Sequence, residues 1–180
     1  MKKILLLAAL LLFSPTVFSQ DTEPEEVAEP ETELPSTAYY LIRHSEKELS
    51  DPTDDDPHLT QQGLLRSAKL SYVLENVKFD AVYSTNYNRT TETAQPIAEK
   101  NGIDALTFYD PRSMDMKGFV EETNGKTVLI VGHSNTTPFL VNTLIGEEKY
   151  EEIDESVYSH LYIVNVLPSG EKTDLLLIID

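Results

Sequence analysis

At 180 residues with 40% apolar side chains, the chain has room for one domain with a sizeable core. Its 31 acidic against 14 basic side chains, a formal charge of −17, make nucleic acid and anionic membrane surfaces poor partners. The absence of cysteine excludes a disulfide framework and a thiolate metal site.

Lys2 and Lys3 precede an apolar run from Ile4 to Phe13, followed by small and polar residues around Ser14–Gln20. This is the shape of a secretory signal peptide over residues 1–20, and cleavage after Ser19 and after Gln20 both fit it. The run is shorter than the roughly 20 residues of a spanning helix, and no later run approaches that length. The expected destination is the bacterial periplasm or the cell exterior, with no membrane span in the mature chain. Residues 21–37 mix glutamate with proline, offer almost nothing to bury, and read as an acidic extended linker. A tether and a solubility tail fit it equally. The folded domain is expected over residues 38–180.

Within that domain strands and helices alternate. Ala38–Ile42 is a dense apolar run suited to a buried strand. From Gln61 to about Asn76, Leu64, Leu65, Ala68 and Tyr72 recur at helical spacing behind Thr60, a good N-cap. Asp80–Ser84 reads as a second strand. Asn86 or Asn88 is expected to cap a helix reaching about Lys100, and Gly102 ends it. A third strand is expected at Ala105–Tyr109 and a weak helix at Met114–Thr123. Thr127–His133, "TVLIVGH", is the clearest strand, and Thr137-Pro138 opens a helix with proline at its first position. Tyr158–Val166 and Thr173–Ile179 read as an antiparallel edge pair joined by the Pro168-Ser169-Gly170 turn. This order predicts a three-layer α/β/α sandwich with a mostly parallel central sheet.

Ligand sites in such sheets lie beyond the carboxyl ends of the strands. Arg43-His44 and Gly132-His133 each fall just past a strand end, and Arg89 opens the helix after the second strand. Two histidines and two arginines on one face suit a phosphoryl group. Guanidinium groups and helix N-termini complement its oxygens, one neutral imidazole can attack phosphorus, and the other can donate hydrogen bonds to the reacting oxygens.

The motifs resemble those of the histidine phosphatase, or phosphoglycerate-mutase-like, superfamily. "LIRHSEK" at residues 41–47 is similar to its RHG signature, with Ser45 where glycine is usual. "HLTQQGLLRSAKL", "VYSTNYNRTTETAQPIA" and "VLIVGHSN" follow in the family's order. The resemblance implies the small bacterial branch of that fold, with His44 as a nucleophile forming a phosphohistidine. It implies that Arg43, Arg89 and His133 bind and stabilise the phosphoryl group, and that no metal or organic cofactor is needed. A phosphorylated small molecule or a phosphoprotein is the implied partner. The family's asparagine after the first motif is missing from "EKELSDPTDDDPH". Its usual glutamate acid is missing too, leaving Asp110 or Asp115 as substitutes in "FYDPRSMDM".

Other polar residues have plainer expected roles. His58 and His160 read as structural. Glu46 is expected to pair with Lys47 or to orient His44. Arg66 and Arg112 read as solvated surface charges, with the pocket rim as the alternative. "EEKYEEIDE" at Glu147–Glu155 reads as a solvated loop, with a gate against anionic substrates as the alternative. The functional expectation is an exported phosphohydrolase acting on a phosphomonoester or phosphoramidate through His44. A phospholigand-binding module with little turnover and a mutase-type phosphotransferase are the alternatives.

Overall fold

The computed structural model describes residues 35–180 of the chain. The expected signal peptide and most of the expected linker lie outside the described residues.

The central strand, β1 at Thr37–Arg43, is apolar on both faces because both are covered. Tyr39 and Leu41 pack into one core and Ile42 into the other. The same alternation governs β4 at Thr127–Gly132, where Val128 and Ile130 face the first core and Leu129 and Val131 the second. Each such fully buried aliphatic side chain contributes roughly 1.5–3 kcal/mol of transfer free energy.

The remaining elements follow in chain order: α1 at Gln61–Val73, β2 at Ala81–Ser84, α2 at Asn88–Lys100, β3 at Thr107–Phe108 and α3 at Met116–Glu122. After β4 come α4 at Thr136–Ile145, β5 at His160–Val166 and β6 at Lys172–Ile178. Among the described residues the strands form one six-stranded sheet, ordered β3-β2-β4-β1-β5-β6. β3, β2, β4 and β1 run parallel, and β5 and β6 add an antiparallel edge. Helices α1 and α2 supply Leu70, Leu74, Ala94, Ile97 and Ala98 to the core on one face. Helices α3 and α4 supply Phe119, Leu140, Val141 and Leu144 on the other. This is the predicted three-layer sandwich. No helix among the described residues is long and apolar enough to cross a membrane.

Several local expectations change. Helix α1 turns Gly63, Ser67, Leu70 and Ser71 inward, while Leu64, Leu65 and Tyr72 are exposed. Small side chains win that face because the helix lies close against the loop after β1: a Cβ on Gly63 would stand 2.1 Å from the Glu46 carbonyl oxygen. Thr60 does cap this helix, its side chain accepting from the Gly63 amide. Neither Asn86 nor Asn88 caps α2. Instead the Asn88 amide donates to Asp56 Oδ1 at 2.8 Å, so a carboxylate from a distant loop meets one of the orphan donors. The third strand shrinks to two residues at the sheet edge. Pro138 is the third residue of α4, where its missing N–H is still one of the helix's unbonded donors.

Gly63→Ala is expected to destabilise the protein by about 1–3 kcal/mol through overpacking. The Glu46 carbonyl already accepts from the Thr60 amide at 2.9 Å and is not free to move away. Urea denaturation of the two proteins measures the difference; equal midpoints would show that the loop gives way.

Candidate active site

Register places the site. Arg43 pairs with Gly132 across β1 and β4, and Ser84 pairs with Val131 across β2 and β4. The residues after these three parallel strands therefore leave the sheet side by side at its carboxyl edge. The His44 amide continues the ladder, donating to the Gly132 carbonyl at 2.9 Å. The His44 and His133 rings then stand with centroids 5.5 Å apart.

His44 is 3% exposed. Its Nδ1 lies 2.7 Å from the Ser45 carbonyl oxygen, which can only accept. Nδ1 therefore carries the proton, and the lone pair sits on Nε2. Burial, with Arg43, His133 and Arg89 around it, lowers the His44 pKa to about 3 against the pull of the Ser45 carbonyl. The ring is neutral at pH 7 and nucleophilic at Nε2. The Ser45 amide is tied to Thr93 Oγ1 at 2.9 Å, anchoring the loop to α2, and the Ser45 hydroxyl accepts from Ser67. A serine in place of the usual glycine is thus accommodated against the inward face of α1.

His133 is also neutral. Burial first, then Arg89, Lys47 and Arg43, bring its pKa to about 4. Its Nε2 is 2.9 Å from Thr85 Oγ1, which is itself 3.0 Å from Thr90 Oγ1. The Thr85 hydroxyl donates to Thr90 Oγ1, whose own proton goes to a backbone carbonyl, so the His133 ring donates through Nε2 to Thr85 Oγ1 and its Nδ1 is unprotonated.

The guanidinium of Arg43 is buried and donates through Nη1 to the carbonyls of Asp154 and Val157, at 3.0 and 3.1 Å. Through Nη2 it reaches Glu155 Oε2 at 2.5 Å, and it stacks on Tyr158 with 4.4 Å to the ring centroid. Arg89, in the first turn of α2, lies over the Tyr87 ring at 4.3 Å and has Asp56 Oδ1 at 3.5 Å. Among the described residues, the buried side-chain polar atoms left without a hydrogen-bond partner are Arg43 Nε, Arg89 Nε and Arg89 Nη1. An unmet buried donor costs about 1–3 kcal/mol, more when charged. Three of them on two cations beside a neutral imidazole suit an oxyanion.

A cavity of about 350 Å³ opens beside His133, walled by Thr85, Tyr87, Tyr109, Asp110, Arg112 and Asn135 among others. Its wall does not include Arg43, His44 or Arg89, so of the four it meets only His133. Asp110 lies on this wall, but its two oxygens already accept from the Arg112 amide and the Ser113 hydroxyl. Asp115 is the N-cap of α3, accepting from the Lys117 amide.

Other sequence-derived roles shift. Glu46 does not orient His44. Its carboxylate takes two bonds from Arg66 Nε, at 2.9 and 3.0 Å, while Arg66 Nη1 donates to the Ile179 carbonyl. Arg66 is thus a partly buried tie between α1 and the C-terminal strand region, not a solvated charge. Arg112 does reach the cavity rim. His58 pairs with Glu92 at the surface and His160 with Tyr162. Sequence reading missed Thr85, Tyr87 and Tyr158. Tyr87 stands two residues before Arg89, a local cue, whereas Tyr158 meets Arg43 only through the fold. Among the described residues no three histidine, aspartate or glutamate side chains gather as metal ligands do.

Residues 39–116 match the family model of the histidine phosphatase superfamily (branch 1). That stretch holds Arg43, His44 and Arg89 and ends before His133. No curated protein matches the chain. Among solved structures, the protein histidine phosphatase SixA in complex with tungstate is 18% identical, with a TM-score of 0.64 over 78% of this chain and 96% of that one. A phosphoserine phosphatase mutant from Entamoeba histolytica, in complex with phosphoserine, is 15% identical, with a TM-score of 0.59 over 77% and 94%. A phosphoglycerate mutase from Bacillus anthracis is 13% identical, with a TM-score of 0.56 over 82% and 95%. These likenesses establish the fold, and with the family match they bear out the resemblance read from the motifs.

The neutral histidines give stability a definite pH dependence. Below about 6.5 the unfolded chain protonates both rings, while the folded protein protonates His133 only near 4 and His44 near 3. The unfolded state binds more protons in that window, so stability falls as pH falls through it. Denaturation midpoints from pH 7 to 4 should drop less steeply for His44→Gln than for the unsubstituted chain. Parallel slopes would mean that His44 is protonated in the fold.

Proposed function

We propose that the chain is a phosphohydrolase of the histidine phosphatase type, acting through a phosphohistidine on His44. The observation that carries this reading is the unprotonated Nε2 of His44 beside three unpaired buried guanidinium donors. Nε2 attacks phosphorus, the bond to the leaving oxygen or nitrogen breaks with its electron pair, and the P–N bond to His44 forms. Arg43 and Arg89 donate to the phosphoryl oxygens throughout, beside the neutral His133 ring. Water then attacks the phosphohistidine, returning His44 and releasing phosphate.

The leaving group is the point at which this site narrows its substrates. Asp115 is a helix cap, and both oxygens of Asp110 accept bonds within its own turn. Neither is poised to hand a proton to a departing alkoxide. Phosphoramidates and aryl phosphates, whose leaving groups need less protonation, fit better than sugar phosphates. A phosphohistidine on a protein is such a phosphoramidate, and the fold shared with the protein histidine phosphatase SixA supports that substrate class. The basic and apolar start of the chain supports export, so the proposed place of action is the periplasm or the cell exterior.

Hydrolysis of an aryl phosphate, with trapping of an acid-labile phosphoenzyme, tests the reading. His44→Ala should lose the phosphoenzyme and about a thousandfold or more of the turnover. Arg89→Ala should lower kcat/KM by about 10- to 100-fold through lost charge-assisted bonds. Undiminished turnover in a folded His44→Ala protein would remove His44 as nucleophile. Phosphate binding without turnover or phosphoenzyme would favour a binding module.

A further inference from the structure

The acidic segment Glu147–Glu155 does not end as a free loop. Ile153 is buried in the core, its amide donates to the Ser134 carbonyl at 3.0 Å, and the Val157 amide closes a turn on the Asp154 carbonyl at 2.9 Å. Glu155 projects from this turn. One carboxylate oxygen accepts from Arg43 Nη2 and the other from the Ser134 hydroxyl, each at 2.5 Å. It therefore bridges the residue before His44 to the residue after His133.

A carboxylate is an unexpected neighbour for a group that is to hold an anion. At Arg43 it takes Nη2, while the buried Nε is left unpaired. A second carboxylate, Asp56, stands 3.5 Å from Arg89 Nη1. Each guanidinium thus has a full negative charge close by, at a nitrogen other than its unpaired Nε. Two like charges a few ångströms apart repel appreciably even where water screens them, and the repulsion grows with each further charge on the ligand.

We infer that Glu155 is a specificity-determining residue: with Nη1 and Nη2 of Arg43 taken, it leaves only Nε for a single phosphoryl group and repels ligands that carry a second anionic group beside it. The substrate class that follows is a lone phosphoryl on a neutral or cationic carrier, with diphosphates and polyphosphates rejected. This rests on the reading of the site as one for phosphoryl groups, not on turnover.

Calorimetric titration of the full chain with inorganic phosphate and with pyrophosphate, at low salt, separates the two. The unsubstituted protein should bind phosphate at least as tightly as pyrophosphate, despite the greater charge of the latter. Glu155→Gln, which keeps an acceptor for Arg43, should shift the ratio of the two dissociation constants toward pyrophosphate by about tenfold, or roughly 1.4 kcal/mol. Glu152→Gln, an exposed neighbour, removes the same charge without touching Arg43. It should leave the ratio in place. An unchanged ratio in Glu155→Gln, or an equal shift in Glu152→Gln, would overturn the role of Glu155 while leaving the phosphoryl site standing. Binding of neither anion by the folded, unsubstituted protein would overturn both.

Discussion

Because β1 lies hydrogen-bonded between β4 and β5, with Arg43 level with Gly132, two histidines 89 positions apart in the chain leave the sheet as neighbours. The remainder of the site hangs on that pairing. β2 on the far side of β4 delivers Thr85 to His133, and the short turn after β2 delivers Arg89 on the first turn of α2. Parallel strands about 4.8 Å apart set the spacing of these groups before any side chain chooses a rotamer. Gly132 belongs to the same constraint. A Cβ there would meet the hydroxyls of Thr136, Thr137 and Tyr109 at 3.0 Å, so a side chain at the end of β4 would crowd the start of α4.

Charge is distributed against the chain's overall sign. The protein is strongly acidic, yet two guanidinium groups are drawn inward, each over an aromatic face and each with a carboxylate at one side. Stacking and backbone carbonyls hold the Arg43 guanidinium in place, while the burial that orders it also withholds water from Nε. The same burial keeps both imidazoles neutral, so the site combines fixed positive charge with an uncharged nucleophile. The two conditions are linked: protonating His44 would add a third cation to a nearly dry cluster.

The acidic loops acquire meaning in the same way. Two members of acidic runs, Asp56 and Glu155, meet the N-terminus of α2 and Nη2 of Arg43. Asp56 is half-buried, whereas Glu155 makes its contacts with most of its side chain still exposed. Membership of an acidic run did not distinguish these two, because only the loop path decides which carboxylate meets a donor. Helix α1 teaches a related lesson. Leu64 and Leu65 follow a helical period but face outward, since the Glu46 backbone presses so closely on the helix that a side chain at Gly63 would collide with it.

The alternation of strands and helices, the three-layer class, and the identities of Arg43, His44, Arg89 and His133 as candidates were all legible from residues alone. Apolar periodicity and strand-end position are local properties, and each motif carries its polar residue at a fixed offset from its own strand. What no local pattern contains is the strand order, and with it the contact between the two histidines, the seat of Tyr158 under Arg43 and the bridge made by Glu155. Those depend on hydrogen-bond registers and loop paths between segments far apart in the chain, and close packing settles them only when every element is in place.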